Sequence, residues 1–498
     1  MNHASAGTGI DLTPAVDGWV GAQRWFAGKA HSPVLRSIGQ WALPTDEEGV
    51  RIACHLVLDT ASRFSTLYQL PVTERTQPLP DSSALIERTL GHDGLPRYLY
   101  DAPHDSAYAA ALHGSIVTGA STPSDDPAGA AAQGELLRVR QAPGDEPVDL
   151  SRYTVTASRV LNGEQSNTSI IIDLVDETGR RGRPVILKVF RVVAAGSNPD
   201  VSVQSALAGA GSRFVPRPIG AVSGEWTSPL SPARQSGHLV FAQEFLPGVE
   251  DAWRVALHAA STGTDFSAPA HALGVATAAV HRDLARVFPT VASTGDVVNQ
   301  LCLTMRERYR LAAREVPELA AHSAAIEAVF ARAQAAFWPH LQRIHGDYHL
   351  GQVLDVPGRG WVLIDFEGEP LRPLAERSLP DLPLRDVAGM LRSFDYVGAT
   401  IAMRDPAAGP DAVDWASTAR AAFLRGYQEE AGKAPHDNAL DSTALTGQEP
   451  LLAAFELDKA IYESIYESRN RPSWLPIPLR AVRRLAQDAH AAPGRTAG

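Results

Sequence analysis

Cysteine is nearly absent. The 498 residues include only Cys54 and Cys302, too few for a disulfide framework or a cysteine zinc site, and a reducing cytoplasm is the expected compartment. Long apolar runs are missing as well: no uncharged stretch approaches the roughly 20 residues of a membrane helix. The opening MNHASAGTGIDLT carries neither the cationic start nor the apolar stretch of an export signal. No dense block of Lys and Arg appears, and the net charge is -11, which argues against neutralising nucleic-acid phosphates. Internal repeats and heptads are lacking too. The expectation is a soluble, cytoplasmic protein that binds neither nucleic acid nor membrane.

What is present is the composition of a folded chain, 44% hydrophobic and 20% charged, long enough for two or three domains. GASTPSDDPAGAAAQG at 119–134 reads as a surface linker, and so does the stretch from Ala431 to about Gln448. SNTSIIIDLV and RPVILKVF flank the turn-like ETGRRGR, which predicts a hairpin. Ile326, Val329, Phe330, Ala333 and Phe337 follow helical spacing up to Pro339. The resulting α+β reading has an N-terminal region over 1–135, a β-rich lobe over 136–247 and a helical lobe over 248–498. A cleft between such lobes is a common small-molecule site.

Two polar stretches stand out, IHGDYHLGQVL at 344–354 and LIDFEGE at 363–369. Between them VLDV, PGRG and WVLID read as strand, turn and strand. A turn symmetric about the Gly358–Arg359 bond sets Gln352 directly opposite Asp365, with Cβ atoms about 5 Å apart on one face. An amide oxygen and a carboxylate so placed are hard ligands for Mg²⁺. Glu367 stands either among the ion's ligands or just behind them. Asp347, in the loop entering the hairpin, suits the task of accepting a proton from an attacking hydroxyl in phosphoryl transfer. His345 and Gly346 shape that loop. His345 and His349 alone do not make a zinc site, for want of a third soft ligand.

Lys188 interrupts the apolar VILKVF and is costly to bury unless an anion such as nucleotide phosphate neutralises it. A lysine guarding a sheet edge is the alternative. The loop NGEQSNTS, with Ser166, Asn167 and Thr168, can cover phosphates through hydroxyls and backbone N–H groups, although it has neither the GxGxxG nor the P-loop spacing. In VFAQEFLPG the backbone from Gln243 to Phe245 can meet an adenine edge, or the segment is a plain connecting strand.

HGDYHLGQ resembles the catalytic loop of the aminoglycoside-phosphotransferase-like kinases, and IDFEGEP resembles their metal-binding segment. QRWFAGK, GEQSNTS, LKVFR with NPD, PLRDVAGMLRSFDY and FELDKAIYESIYESRNRPSWLPIPLR are similar to the bacterial maltokinase family, and these blocks run from Gln23 to Arg480. The resemblance implies a bilobal protein-kinase-like fold with an N-terminal cap, a β-rich N-lobe and a mainly helical C-lobe. It implies ATP and Mg²⁺ as co-substrate and cofactor, and maltose, phosphorylated on its anomeric hydroxyl, as acceptor. A trehalose/α-glucan pathway enzyme is its candidate partner. Matched position by position, Asp347 is the base, Gln352 and Asp365 are metal ligands, and Lys188 is the phosphate lysine. One departure is Ser202, where a glutamate pairing with the lysine is expected; Asp200, water or nucleotide then has to hold Lys188. That departure keeps open another acceptor sugar such as glucosamine, or a nucleotide-binding scaffold without turnover.

For the acceptor, a helix from Leu452 to Tyr466 groups Phe455, Lys459, Tyr462 and Tyr466 on one side. Glu456 and Glu463 are expected to pair with Lys459 along it. Trp474 is the expected sugar platform, and His349, Lys459, Tyr462 and Glu463 complete the acceptor-side set. Arg377 and Arg385 either orient the metal-binding segment or tie loops together, the second being the reading preferred. In the cap, Trp25 and Phe26 are read as anchors of the cap to the β-rich lobe.

Overall fold

The computed structural model describes residues 10–28, 31–61, 65–81, 83–91, 93–123, 130–137, 150–161, 167–229, 233–369, 374–405, 407, 409–433, 445 and 447–491. The chain forms two compact units, 1–211 with 216–247 and 212–215 with 248–498. Strands dominate the first and helices the second, as the α+β reading expects.

The first unit holds two antiparallel sheets. One comprises β1 (Leu35–Leu43), β2 (Val50–Asp59), β3 (Thr66–Arg75), β4 (Leu85–Leu90) and β5 (Pro96–Asp101) in the order β1-β2-β3-β5-β4. The other is built from β6 (Ser121–Pro123), β7 (Ala131–Leu136), β8 (Tyr153–Val160), β9 (Asn167–Asp176), β10 (Val185–Phe190), β12 (Pro218–Thr227) and β13 (Arg234–Glu244). Its order is β6-β7-β12-β13-β10-β9-β8. The short β11 (Val192–Val193) pairs with β3 of the first sheet. Where a linker is expected at 119–134, Thr122 pairs with Ala132 and Val222 with Gly134. Small residues suit this edge because helix α2 (Ser106–Thr118) lies so close that a Cβ on Gly134 would fall 2.1 Å from the Ser115 carbonyl oxygen. The hairpin of β9 and β10 forms as read, with Val185 opposite Ile172.

Helix α1 (Pro14–Ala22) leads into Trp25 and Phe26, both buried in an apolar cluster with Val57, Tyr68 and Leu70. This cluster lies within the cap's own sheet, so the two residues pack inside the cap rather than against the β-rich lobe. Trp25 also faces the Arg191 guanidinium, 4.9 Å from the ring centroid. Arg191 is fully buried and grips both oxygens of Asp101 at 2.8 and 2.6 Å. Helix α3 (Pro199–Gly209), capped by the Asn198 side chain on the Asp200 N–H, completes the unit.

In the second unit α4 (Ala252–Thr262), α5 (Ser267–Val287), α6 (Gly295–Glu315), α7 (Ser323–Ala335), α8 (Leu374–Arg377), α9 (Leu384–Arg404), α10 (Gly409–Ala431), α11 (Glu449–Asn470) and α12 (Pro476–Ala491) surround a small sheet. That sheet joins β14 (Glu250–Asp251), β15 (Val353–Val356) and β16 (Gly360–Leu363). Helices α5 and α10 touch through glycine. A Cβ on Gly274 would sit 2.0 Å from the Phe423 carbonyl oxygen, and one on Gly426 2.0 Å from that of His271. This contact brings His281 and Tyr427 together, Nδ1 to hydroxyl at 2.9 Å.

Helix α7 buries Ile326, Val329, Phe330 and Ala333 as the spacing predicts, but it ends at Ala335 and leaves Phe337 64% exposed. The Trp338 indole N–H donates to the Ala333 carbonyl at 2.8 Å, so the tryptophan takes the buried place instead. No helix among the described residues is long and apolar enough to cross a membrane.

Candidate active site

The loop around Asp347 is fixed by hydrogen bonds its own sequence does not reveal. Asp386, 1% exposed near the start of α9, accepts the His345 N–H on Oδ2 at 2.8 Å and the Gly346 N–H on Oδ1 at 2.9 Å. His281 adds a third bond, Nε2 to Oδ2 at 3.0 Å. Gly346 has φ of 88°, a conformation that glycine enters without steric penalty, and the next residue is Asp347. The His345 ring bonds the Ile364 carbonyl at 2.9 Å and packs on Phe366 and Tyr348, centroids 4.7 and 5.2 Å away. Anchored in this way, the loop leaves the Asp347 side chain 21% exposed.

The hairpin register differs by one residue from the expected one. Val353 pairs with Leu363 and Val356 with Gly360, so a three-residue loop, not a two-residue one, closes the turn. The Arg359 N–H reaches the Val356 carbonyl at 3.0 Å across Pro357 and Gly358, the latter at φ 75°, which is a type II pattern. Gln352 therefore lies opposite Ile364, whose N–H donates to its carbonyl at 3.0 Å. A slip of one residue in a regular strand sends the side chain to the other face. Here Asp365 leaves the strand with φ of 68°, the only positive value on a non-glycine among the described residues. Its side chain returns to Gln352, and Nε2 donates to Oδ2 at 3.0 Å. The two groups meet as expected, by a backbone kink rather than by cross-strand pairing.

A carboxylate oxygen of Glu367 lies within 4.8 Å of one of Asp365, and Glu367 is buried. The donor set is amide and carboxylate oxygen, without sulfur or imidazole, and it fits a hard divalent ion such as Mg²⁺ once the Gln352 amide turns its oxygen inward. Arg377 faces this group. Burial pulls its pKa down, against the charges of Glu367, Asp347, Asp365 and Glu369. His349 accepts the Gly351 N–H on Nδ1 at 3.0 Å. Burial lowers its pKa, Asp347 pulling the other way and Lys459 adding to the fall.

Asp347 lines a cavity with Arg308, Tyr348, Glu369, Arg385, Asp458, Lys459 and Tyr462. Lys459 does not pair along its helix with Glu456 or Glu463; its Nζ stands 3.7 Å from Asp347 Oδ1 and 5.2 Å from the Tyr462 ring centroid. Glu463 is taken by Arg392 at 2.8 Å, and Glu456 bonds Arg420 and Arg484. Trp474 stacks on Tyr396 at 6.1 Å and under Arg471 at 4.5 Å. Glu463 and Trp474 are therefore absent from the cavity's lining, and so is His349; of the expected acceptor-side set only Lys459 and Tyr462 line it. Tertiary arginines outcompete the expected intrahelical pairs because a fork gripping a buried carboxylate is stronger than an exposed pair along a helix. Tyr462 is raised above its ordinary pKa by burial and by the Glu369 and Asp347 charges, so its hydroxyl keeps its proton. Arg385 does tie Asp381 to Asp458 as read, at 2.5 and 3.3 Å, and also lines the cavity.

In the first unit Lys188 is 6% exposed on β10, between β9 and β13, so the edge-strand alternative falls. Its Nζ donates to Asp200 Oδ2 at 2.7 Å, and the Gln204 amide bonds the other oxygen at 2.7 Å. The acid that pairs with the lysine thus stands two residues before Ser202, whose hydroxyl turns to the Pro199 carbonyl. Thr168 Oγ1 accepts from Arg191 Nε at 2.8 Å, and Asn167 opens β9 opposite Phe190; Ser166 lies outside the described residues. Gln243 pairs with Ile186 and is 5% exposed. The Phe245 N–H donates to the Pro184 carbonyl at 3.1 Å, and its ring lies 5.9 Å from the Arg159 guanidinium.

Sequence reasoning missed Asp386, Asp458 and Arg308. Only Asp386 left a signal, an acid inside the apolar block PLRDVAGML that burial forces to find donors.

Residues 19–105 match the maltokinase N-terminal cap domain, and residues 159–435 match the phosphotransferase enzyme family. A glucosamine kinase of Streptacidiphilus jiangxiensis is 30% identical over 339 residues, 65% of this chain and 73% of that one. Another, of Mycolicibacterium smegmatis, is 28% identical over 344 residues, 66% and 79% of the two chains. Among solved structures, a glucosamine kinase in complex with glucosamine, ADP and inorganic phosphate superposes with a TM-score of 0.62 at 22% identity, over 95% of this chain and all of the other. A second glucosamine kinase crystal form gives 0.66 at 21%, over 96% of this chain and 100% of that one. The kinase-like fold expected from the motifs is the fold observed.

Proposed function

Because the chain belongs to the phosphotransferase enzyme family and carries a maltokinase-type cap domain, we propose that it moves the γ-phosphoryl group of ATP to the anomeric hydroxyl of maltose. The products are maltose 1-phosphate, for α-glucan synthesis, and ADP. A trehalose/α-glucan pathway enzyme that consumes the 1-phosphate is the partner this reading calls for. The observation that carries it is the Asp347 carboxylate, set in a polar cavity 3.7 Å from the Lys459 ammonium and on the loop that leads to the Gln352–Asp365 pair.

Asp347 takes the proton of the sugar hydroxyl as the new O–P bond forms and the bond from γ-phosphorus to ADP breaks. The anomeric hydroxyl is the most acidic of a sugar, so one carboxylate is enough. Lys459 holds the carboxylate in place, and the Tyr462 hydroxyl orients the acceptor. Gln352, Asp365 and Glu367 would hold Mg²⁺, which when bound neutralises phosphate charge. Lys188, paired with Asp200 at 2.7 Å, is the phosphate lysine, with Asn167 and Thr168 over the phosphates. Adenine is met at carbonyls of Gln243 to Phe245, since the Phe245 N–H is already committed.

A second reading, glucosamine as acceptor, is favoured by the names of the similar curated proteins and by Glu369 in the cavity wall, a carboxylate able to face an ammonium. Purified protein with ATP, Mg²⁺ and separate sugars decides: maltose-dependent ADP release with maltose 1-phosphate is expected. Phosphate on glucosamine alone moves the assignment to the second reading, and nucleotide binding without transfer to any sugar leaves only a scaffold.

Ser202 no longer favours that scaffold, because Asp200 does the work of the missing glutamate. Ser202→Glu is expected to leave KM for ATP within about twofold of wild type, since residues two apart on a helix do not face one another. A tenfold improvement in steady-state KM would show that Asp200 is a poor substitute.

A further inference from the structure

A second cavity in the helical unit, of about 490 Å³, shares no lining residue with the one around Asp347. Three helices build it. Ala399, Ala402 and Met403 face it from α9, and Val413, Ala416 and Ala421 from α10. Ile477, Arg480, Ala481 and Arg484 do so from the start of α12, three and four residues apart, which is the spacing that sets side chains on one side of a helix. Alanine walls leave the space between the helices unfilled. Met403 and Val413 are consequently 45% and 40% exposed at its rim, and an apolar groove of this size with a few polar groups is the usual form of a small-molecule site.

The polar end has a definite charge. Asp395 is the one acid among the lining residues. It accepts from Arg392 at 2.6 Å and from Arg420 at 3.2 Å, and Arg484 stands 3.7 Å away. Behind the wall Glu463 takes Arg392 at 2.8 Å, and Glu456 takes Arg420 and Arg484. Asp395, Glu456 and Glu463 thus balance Arg392, Arg420 and Arg484. Arg480 is left over: it is exposed and has no acidic partner among the described residues. It also stands one turn from Arg484, and like charges so spaced oppose the helix that carries them.

We propose that this groove binds an aliphatic monocarboxylate, its head on Arg480 beside Arg484 and its chain along the alanine walls. Charge fixes the sign, since one guanidinium in excess calls for one negative charge, and an ammonium would add to the repulsion between Arg480 and Arg484. The guanidinium fork matches a carboxylate in shape as well. The walls fix the body. No aromatic ring stands among the lining residues, so a nucleobase finds no face to stack on. The α9 wall from Arg392 to Met403 runs about 16 Å, which suits a chain better than a compact ion. The site is independent of the sugar-kinase reading.

Calorimetric titration of the full chain with decanoate, kept below its micelle concentration, tests it. One decanoate per chain is expected. Decanol and decyltrimethylammonium should each bind at least about tenfold more weakly, as should hexanoate, because each CH₂ laid against the walls is worth about fourfold. Arg480→Met is expected to weaken decanoate roughly tenfold, the loss of one charge-assisted contact, and to leave decanol within about twofold. Ala421→Trp, at an exposed position, should weaken both ligands by about tenfold or more by filling the groove. No binding of decanoate to wild type, decanol bound as tightly as decanoate, or either variant indistinguishable from wild type overturns the proposal. Should Arg480→Met not fold, salt decides: a decanoate Kd that does not rise between about 50 and about 500 mM NaCl overturns it equally. Neither variant touches the Asp347 cavity, so failure here leaves the kinase reading standing.

Discussion

Asp347→Asn is expected to lower kcat by on the order of 10²–10⁴ with KM for ATP and sugar near wild type, the loss typical of removing a positioned general base. The amide is nearly isosteric and leaves the neighbouring Asp386 bonds to His345 and Gly346 untouched, so the loop keeps its conformation while the proton acceptor is gone. Loss of kcat without loss of binding is the signature of an interaction made only in the transition state. Sugar-dependent ADP release measured at saturating substrates checks it. Turnover within a few-fold of wild type would remove Asp347 as the base and return attention to His349, the next proton acceptor on the loop.

Asp386→Ala is expected to act on stability as much as on turnover. Two backbone N–H groups and the His281 imidazole lose their acceptor in a site 1% exposed to solvent. Removing one partner of a buried charged network costs roughly 3–5 kcal/mol. At about 2–4 °C per kcal/mol, the transition of the helical unit should fall by roughly 10 °C at pH 7, read by calorimetry. A melting profile equal to wild type would show that the loop stands without this support.

The pH dependence gives an independent measure. Burial raises the Asp386 carboxyl, but His281 by hydrogen bond and charge, His345 by charge and the Gly346 N–H together bring it below the ordinary value of 3.8. A depressed folded-state pKa means that the unfolded chain binds more protons on acidification. The stabilisation is therefore present above about pH 4 and lost as pH falls through the folded value. Wild type should lose stability below pH 4 more steeply than Asp386→Asn, and parallel acid limbs in the two proteins would contradict it.

The hairpin shows where the letters stop being enough. Alternating apolar residues around PGRG made a strand-turn-strand legible, because the pattern repeats along the chain and needs no partner. The loop length did not follow from it. Gly358 at φ 75° and the Arg359 N–H to Val356 carbonyl bond chose a three-residue loop, and Asp365 restored the pairing by a kink that side-chain pattern does not encode. Lys188 was legible as an anomaly in an apolar strand, and its partner was not. The position of Asp200 depends on where the first turn of α3 sits above β10, and shifting the acid by two residues moves it to another side of the helix.

The acceptor side divides in the same way. Lys459 and Tyr462 line the cavity as their helical spacing suggests, but Glu463 and Trp474 were drawn off by Arg392, Tyr396 and Arg471, residues remote in sequence or indifferent to the helix's own period. The sequence by itself determined the element types, the apolar faces, the motif loop with Asp347, Gln352 and Asp365, and the buried lysine, since each follows from short-range periodicity or from the cost of burying an unpaired group. Tertiary structure alone decided which acid holds Lys188, that Asp386 anchors the loop from 40 residues away, and that Arg308 and Arg385 both claim Asp458. The reason is physical: a buried polar group is satisfied by whichever donor packing brings within 3 Å or so, and packing is a property of the whole unit rather than of any stretch of chain.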